Sequence, residues 1–210
     1  MNNTQKDFLK LAIELDALSF GDFTLKSGEK SPYFFNISTF FEKGHLATLA
    51  SYYSDLILKE EIKFDVLFGP AYKGIPIASA IAALLSKELS KPFPVCFDRK
   101  EEKDHGEGGV LIGEIKDQKV LVVDDVLTAG TALNSTVSLV TKFGGIVIGS
   151  IIGLDRQEKY RDSTTKDNLE RKLNIPIYSI ADLEHLIEIL ADNPNTSGQA
   201  DKLRKFHLDK

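Results

Sequence analysis

Apolar residues return along this chain at two different periods, and each change of period marks an element. Phe8, Leu11, Ala12 and Leu15 recur at helical spacing, which predicts an amphipathic helix over residues 4–17 capped by Asn3 or Thr4. Residues 20–40 lose that period. Their run FGDFTLKSGEKSPYFFNIS consists of short alternating pieces broken by turn residues, and it predicts a small β-rich lobe. Leu46, Leu49, Ala50, Tyr53, Leu56 and Ile57 restore helical spacing.

Strands and helices then alternate. FDVLFG (64–69) reads as a strand, and IPIASAIAALLSKEL (75–89) as a helix with Pro76 in its first turn. PVCF (94–97) is strand-like and is followed by a polar loop, RKEEKDHGEGG (99–109). KVLVVDD (119–125) is a strand, and a helix over about 130–142 ends at Gly144-Gly145. IVIGSIIGLD (146–155) is a strand, and a charged helical stretch near 157–173 leads to strand PIYSI (176–180) and helix ADLEHLIEIL (181–190). Near-continuous apolar strands between helices predict an α/β fold: a parallel central sheet flanked by helices on both faces, with an N-terminal β-containing hood. The 210 residues fit a single domain, 1–210, in which residues about 20–40 form the hood. The stretch beyond about 192 carries no motif.

Composition narrows the class. At 42% hydrophobic and 27% charged the chain can fill a core, and its net charge of −5 argues against a nucleic-acid partner. A single cysteine, Cys96, allows no intrachain disulfide, and its place in a buried strand makes it core. No apolar run approaches the roughly 20 residues that span a bilayer, and the N-terminus lacks a signal-peptide pattern. The expectation is a cytoplasmic protein with no membrane partner.

The chemistry concentrates in VLVVDDVLTAGTA (120–132). Two adjacent carboxylates at a strand end repel each other and lose solvation unless donors meet them, and the vicinal hydroxyls of a ribose are such donors. The small residues that follow leave backbone N–H groups open at a helix N-terminus, where anions bind. A ribose 5-phosphate carries both groups in that order. The competing reading is a turn with a helix cap. Other nucleotide loops fail: Gly69-Pro70-Ala71-Tyr72-Lys73-Gly74 has Walker A spacing, but Ile75-Pro76 stands where Lys-Ser/Thr is required. No G-x-G-x-x-G opens a helix, and Cys96 with four scattered histidines makes no zinc spacing.

At this point the sequence resembles a family. VLVVDDVLTAGT is similar to the 5-phosphoribosyl 1-diphosphate (PRPP) motif of the phosphoribosyltransferases. FTLKSGEKSPYFFN (23–36), FGPAYKGIP (68–76) and CFDRKEEKDHGEGG (96–109) resemble the orotate phosphoribosyltransferases, in matching order over nearly the whole chain. The resemblance implies Mg²⁺-dependent transfer of phosphoribosyl from PRPP to orotate, giving orotidine 5′-monophosphate and diphosphate in de novo pyrimidine (UMP) biosynthesis. It implies Mg²⁺ held mainly by PRPP oxygens and water, with no protein metal site. It also implies a homodimer with active sites shared across the interface.

By residue, the resemblance puts Asp124 and Asp125 on the ribose hydroxyls and Thr128, Ala129, Gly130, Thr131 and Ala132 around the 5′-phosphate. Val126 and Leu127 belong to the same PRPP segment. Tyr72 and Lys73 fall in the diphosphate loop, which is expected to hold a cis peptide near Ala71-Tyr72. Phe34, Phe35, Thr128 and Arg156 fall at orotate, and Lys26 at the junction of base and PRPP. Arg99, Lys100, Lys103 and His105 belong to a mobile loop over the diphosphate, partly donated by the partner subunit. Lys103, His105, Asp124 and Asp125 are the catalytic candidates.

These roles are physically reasonable. Lys73, Lys100 and Lys103 supply mobile positive charge for a leaving diphosphate, Arg99 a planar fork, and His105 a proton or hydrogen bond. Gly106, Gly108 and Gly109 give the loop hinges that suit a water-excluding lid; a solvated charged hairpin is the alternative. Arg156 can grip a planar carboxylate with two parallel bonds, or pair with Glu158 at the surface. Phe34 and Phe35 point to opposite faces of a strand, so at most one ring stacks on a base. Lys26 and Lys30 flank a turn, where solvated lysines are the default. Two other functions remain: a regulatory protein that binds PRPP or a nucleotide without catalysis, and a purine-base transferase. The charged 99–105 set weighs against the first, and Arg156 with the 23–36 lobe against the second.

Overall fold

The computed structural model describes residues 1–24, 28, 30–103, 109–160 and 163–208, with the backbone alone at residues 100–103 and 160. Helix α1 (Asn3–Glu14) is capped by Asn2, one residue ahead of the expected caps. The Asn2 side chain accepts from Gln5 N–H at 3.0 Å and the Gln5 side chain accepts from Asn2 N–H at 2.7 Å. This reciprocal box satisfies two donors that the helix itself cannot. Strands β1 (Leu18–Thr24) and β2 (Lys30–Phe35) pair antiparallel as the hood, followed by α2 (Ser38–Glu42) and α3 (Leu46–Lys59).

The alternating part runs β3 (Val66–Phe68), α4 (Gly74–Leu89), β4 (Val95–Lys103), β5 (Gly109–Ile112), β6 (Lys119–Leu127), α5 (Thr131–Lys142) and β7 (Ile146–Asp155). It continues with β8 (Lys159–Tyr160), β9 (Ser163–Thr164), α6 (Thr165–Leu173), β10 (Ile177–Asp182), α7 (Leu183–Ala191) and α8 (Ser197–Leu208). The central sheet has the order β10-β7-β6-β3-β4-β5 among the described residues, parallel except for β5. Consecutive strand residues feed two separate cores, as the period of two requires. Leu67, Leu121, Val123 and Ile151 pack with α3, α4 and α7, while Val66, Phe68, Val120, Val122 and Ile152 pack with Leu133, Val140 and Leu169 of α5 and α6.

Three segments differ from the sequence reading. The polar loop expected over 99–109 is partly strand: β4 continues to Lys103, and β5 returns antiparallel with Phe97 opposite Ile112 and Asp98 opposite Leu111. The apolar run Val110-Leu111-Ile112 supplies the return strand. The helix expected from 157 starts only at Thr165, after the short β8–β9 hairpin, because the Thr164 side chain accepts from Asp167 N–H and sets the start there. Finally, the stretch beyond 192 forms α8, which buries Ala200 and Leu203 against α7 and β2. Two apolar residues three apart are too thin a stripe to read from sequence.

The strand order places the site. From β3 the chain steps outward to β4, but β6 lies on the other side of β3 and the chain then steps away through β7 to β10. The direction reverses between β3 and β6, and in open α/β sheets ligands bind beyond the carboxyl ends at that reversal.

Candidate active site

β6 ends there with its acid pair. Val120 to Val123 are fully buried, Asp125 is 8% exposed and Asp124 is partly buried. Lys73, on the loop after β3, places Nζ 2.8 Å from Asp125 Oδ2. The Asp125 N–H donates to Asp124 Oδ1 at 2.9 Å, and Tyr53 of α3 donates its hydroxyl to the Asp124 carbonyl at 2.8 Å. Burial, and next the charge of Asp125, push the Asp124 carboxyl up to about 7 against the lowering by the Asp125 N–H and Lys73.

Past the acids, Leu127 turns into the core and Val126 is packed against the opposite one, so these two offer a ligand their backbone only. Thr128 is partly buried, and Ala129, Thr131 and Ala132 are exposed at the N-terminus of α5. Gly130 has φ 74°, and a Cβ there would collide with Leu169. The small side chains leave an open helix N-terminus next to the acid pair, a site suited to an anion.

The loop from Gly69 to Lys73 is held from several sides. A Cβ on Gly69 would strike the Gly74 carbonyl, and one on Gly74 would come within 2.5 Å of Pro70 Cδ. The Ala71–Tyr72 peptide is cis, and the Ala71 N–H donates to Asp98 Oδ1 at 2.6 Å. Tyr72 is 71% exposed. Arg99 donates to the Gly109 carbonyl at 3.4 Å, across the β4–β5 hairpin. Lys26 and His105 lie outside the described residues, as do the side chains of Lys100 and Lys103.

The third part of the site follows β7. The Arg156 N–H donates to the Leu127 carbonyl at 3.2 Å, which binds the end of β7 to the segment carrying the acids. The Arg156 side chain is 3% exposed. Its Nε lies 3.0 Å from Glu158 Oε1, its Nη2 donates to Ser31 Oγ at 2.9 Å, and its guanidinium covers the Tyr33 ring at 4.2 Å. The pairing with Glu158 is therefore real but buried, and Ser31 takes Nη2. Phe34 is 42% exposed beside Phe23, at 5.7 Å between centroids. Phe35 is 4% exposed and meets Phe8 edge-on at 6.2 Å, so its ring belongs to the core.

The model of the phosphoribosyl transferase domain family matches residues 42–186, which span the switch between β3 and β6. Over 209 residues the chain is 47% identical to the orotate phosphoribosyltransferase of Legionella pneumophila (strain Lens), covering 99% of this chain and 97% of that protein. It is 42% identical over 207 residues to that of Cellvibrio japonicus, covering 98% and 96%. The chain belongs to the orotate phosphoribosyltransferase family. The crystal structure of the Francisella tularensis orotate phosphoribosyltransferase matches with a TM-score of 0.82 at 38% identity, covering 96% of this chain and 94% of that one. An adenine phosphoribosyltransferase from Thermoanaerobacter pseudethanolicus, at 19% identity and a TM-score of 0.55, shares the fold.

Within this phosphoribosyltransferase, four residues around the site escape a reading of the sequence. Tyr53 looks like one more core position on α3, and Tyr33 and Ser31 like hood residues, until Arg156 arrives 125 positions after Ser31. Asp98 looks like one charge among many in a polar stretch. Only the Tyr53 hydroxyl, needless in an apolar core, hints at its polar partner; Tyr33 meets Arg156 with its ring face.

Proposed function

We infer that this phosphoribosyltransferase transfers the 5-phosphoribosyl group of PRPP to orotate, forming orotidine 5′-monophosphate and diphosphate in de novo pyrimidine biosynthesis. The observation that carries the reading is the hydrogen bond from Arg156 N–H to the Leu127 carbonyl. It joins an arginine suited to a planar carboxylate to the segment suited to a ribose 5-phosphate, so base and sugar meet at one strand boundary. A neutral purine carries no carboxylate for a guanidinium that Glu158 neutralises on one edge only.

In the reaction the C1′–O bond to diphosphate breaks, orotate N1 bonds to C1′, and the N1 proton passes to the leaving diphosphate or to solvent. Positive charge develops on the ribose while negative charge leaves. Asp124 and Asp125 accept hydrogen bonds from the ribose hydroxyls and stabilise the ribosyl cation. The backbone from Thr128 to Ala132 holds the 5′-phosphate. Lys73 exchanges Asp125 for a diphosphate oxygen, joined by Arg99, Lys100, Lys103 and His105. Phe34 covers the base, and the Nη edge of Arg156 takes its carboxylate.

Among the described residues no cluster of three or more His, Cys, Asp or Glu is arranged to hold a metal. Two adjacent carboxylates beside a diphosphate loop do suit an octahedral cation that keeps most of its waters and rides on the substrate. When bound, Mg²⁺ neutralises charge on the leaving diphosphate. We assign the enzyme to the cytoplasm as a homodimer with shared sites; no described helix is long and apolar enough to cross a membrane.

Incubation with PRPP, Mg²⁺ and a panel of bases, with diphosphate release as readout, tests the reading. Only orotate should support rapid release, and chelation should stop it. Equal turnover of adenine, hypoxanthine or uracil would overturn the assignment.

A further inference from the structure

The acid pair stands where the sheet no longer supports β6 on both sides. The last β3 residue, Phe68, is paired with Val122, whereas β6 runs on to Leu127 with β7 as its neighbour. A group outside the sheet reaches this extension. Tyr53 is fully buried, and its hydroxyl donates to the Asp124 carbonyl at 2.8 Å. The space it uses exists because residue 153 has no side chain: a Cβ on Gly153 would lie 2.9 Å from both the Tyr53 hydroxyl and the Asp125 carbonyl. Real Cβ atoms do not approach so closely, so any larger residue would push the phenol or the acid-bearing backbone aside.

We propose that Tyr53, admitted by Gly153, is a positioning residue for PRPP: its hydroxyl fixes the backbone of Asp124 and Asp125 so that both carboxylates face the ribose hydroxyls. The proposal rests on the reading that the acid pair holds the sugar. A phenylalanine would fill the same apolar space, so packing alone does not explain the hydroxyl. Burial, and then the charges of Asp125 and Asp124, hold the phenol well above its ordinary range against the lowering by the Gly153 backbone N–H, from which the same hydroxyl accepts. It therefore stays neutral and donates without adding a third negative charge beside the acids. A carbonyl pinned from below adds no further partner to the carboxylates, which already meet Lys73 at Asp125 and the Asp125 N–H at Asp124.

The test compares full-length Tyr53→Phe, Gly153→Ala and Asp125→Asn with the parent enzyme, reading the melting temperature and KM for each substrate separately. Tyr53→Phe should stay folded, raise KM for PRPP by about 3- to 10-fold and leave KM for orotate unchanged, as expected for one lost neutral hydrogen bond. Gly153→Ala should shift the same constant in the same direction. An unchanged KM for PRPP in folded Tyr53→Phe, or an equal rise for both substrates, would overturn the proposal. Should Tyr53→Phe fail to fold, 4-fluorophenylalanine at position 53, which keeps the bulk of the hydroxyl and removes its proton, decides by the same criterion. Asp125→Asn separates the two levels. If it too leaves KM for PRPP unchanged, the acid-pair reading fails; if it alone weakens PRPP, only the role of Tyr53 fails.

Discussion

Lys73 and Asp125 meet at 2.8 Å across the boundary between β3 and β6, where the chain reverses direction. Lys73 is 40% exposed at its side chain and Asp125 11%, so solvent screens the pair from one side and its net worth is at most about 1 kcal/mol. That is a weak bond to give up. On the proposed reading PRPP offers each partner a replacement, a phosphate oxygen for the lysine and hydroxyls for the aspartate. The pair also changes the picture drawn from two adjacent carboxylates alone: part of their repulsion is already offset in the ligand-free fold.

Phe34 and Phe35 should separate function from stability. Phe34→Ala should leave the melting temperature nearly unchanged and raise KM for orotate by about 2- to 12-fold, the worth of one aromatic contact. Phe35→Ala removes a ring that packs on Phe8 and should cost about 3–5 kcal/mol of stability. Denaturant melts and orotate titrations on both variants check this. A destabilised Phe34→Ala with normal orotate binding would show that its ring is structural.

Arg156→Lys keeps the charge and loses the fork. Orotate kcat/KM should fall roughly 10- to 150-fold, the scale of a charge-assisted hydrogen bond, with uracil hardly affected. Competition between the two bases measures it. An unchanged preference for orotate would remove Arg156 from base recognition.

The fold was legible in the sequence, and so was the segment that carries the acid pair, for identifiable reasons. The strand β7 matches its apolar run from Ile146 to Asp155, and the acid pair and the small residues after it stand consecutively, so one segment displays its own chemistry. What stayed hidden depends on distance along the chain. The partner of Asp125 lies 52 residues earlier, and the serine that holds Arg156 lies 125 earlier. No local pattern encodes such meetings. Helix α8 was missed because its buried side is Ala200 and Leu203, and the β4–β5 edge because an unbroken run of charged residues carries the composition of a loop.

The raised Asp124 carboxyl, at about 7, gives opposite pH trends for stability and activity. The native state holds a proton that the unfolded chain, with a carboxyl near 4, has released, so this contribution to stability declines from about pH 4 to 7 and is level above. Asp124→Asn should remove that decline from melts of the ligand-free enzyme. The ionised form makes the charge-assisted bonds to ribose hydroxyls and balances the ribosyl cation, so kcat/KM for PRPP should rise through about pH 7 in the parent and stay low and flat in the variant. An acid limb of the parent profile that follows an ordinary carboxyl, near 4, would contradict this.

Shared active sites are open to a mixing experiment. Lys103→Ala and Asp125→Ala homodimers should each be inactive, and subunit exchange should recover partial activity, because a hybrid holds one site with both residues intact. No recovery after demonstrated exchange would count against a loop donated by the partner.

The most direct measurement takes one variant, Asp125→Asn, through thermal melts and initial rates together. The amide keeps the shape, loses a half-screened pair with Lys73 and relieves repulsion on Asp124, so stability should change by less than about 1 kcal/mol in either direction. The specificity constant for PRPP should fall roughly 10- to 150-fold, because a charge-assisted bond to the ribose is lost. A clearly destabilised variant with a normal specificity constant would contradict the account: the carboxylates would shape the turn after β6 and not hold the sugar.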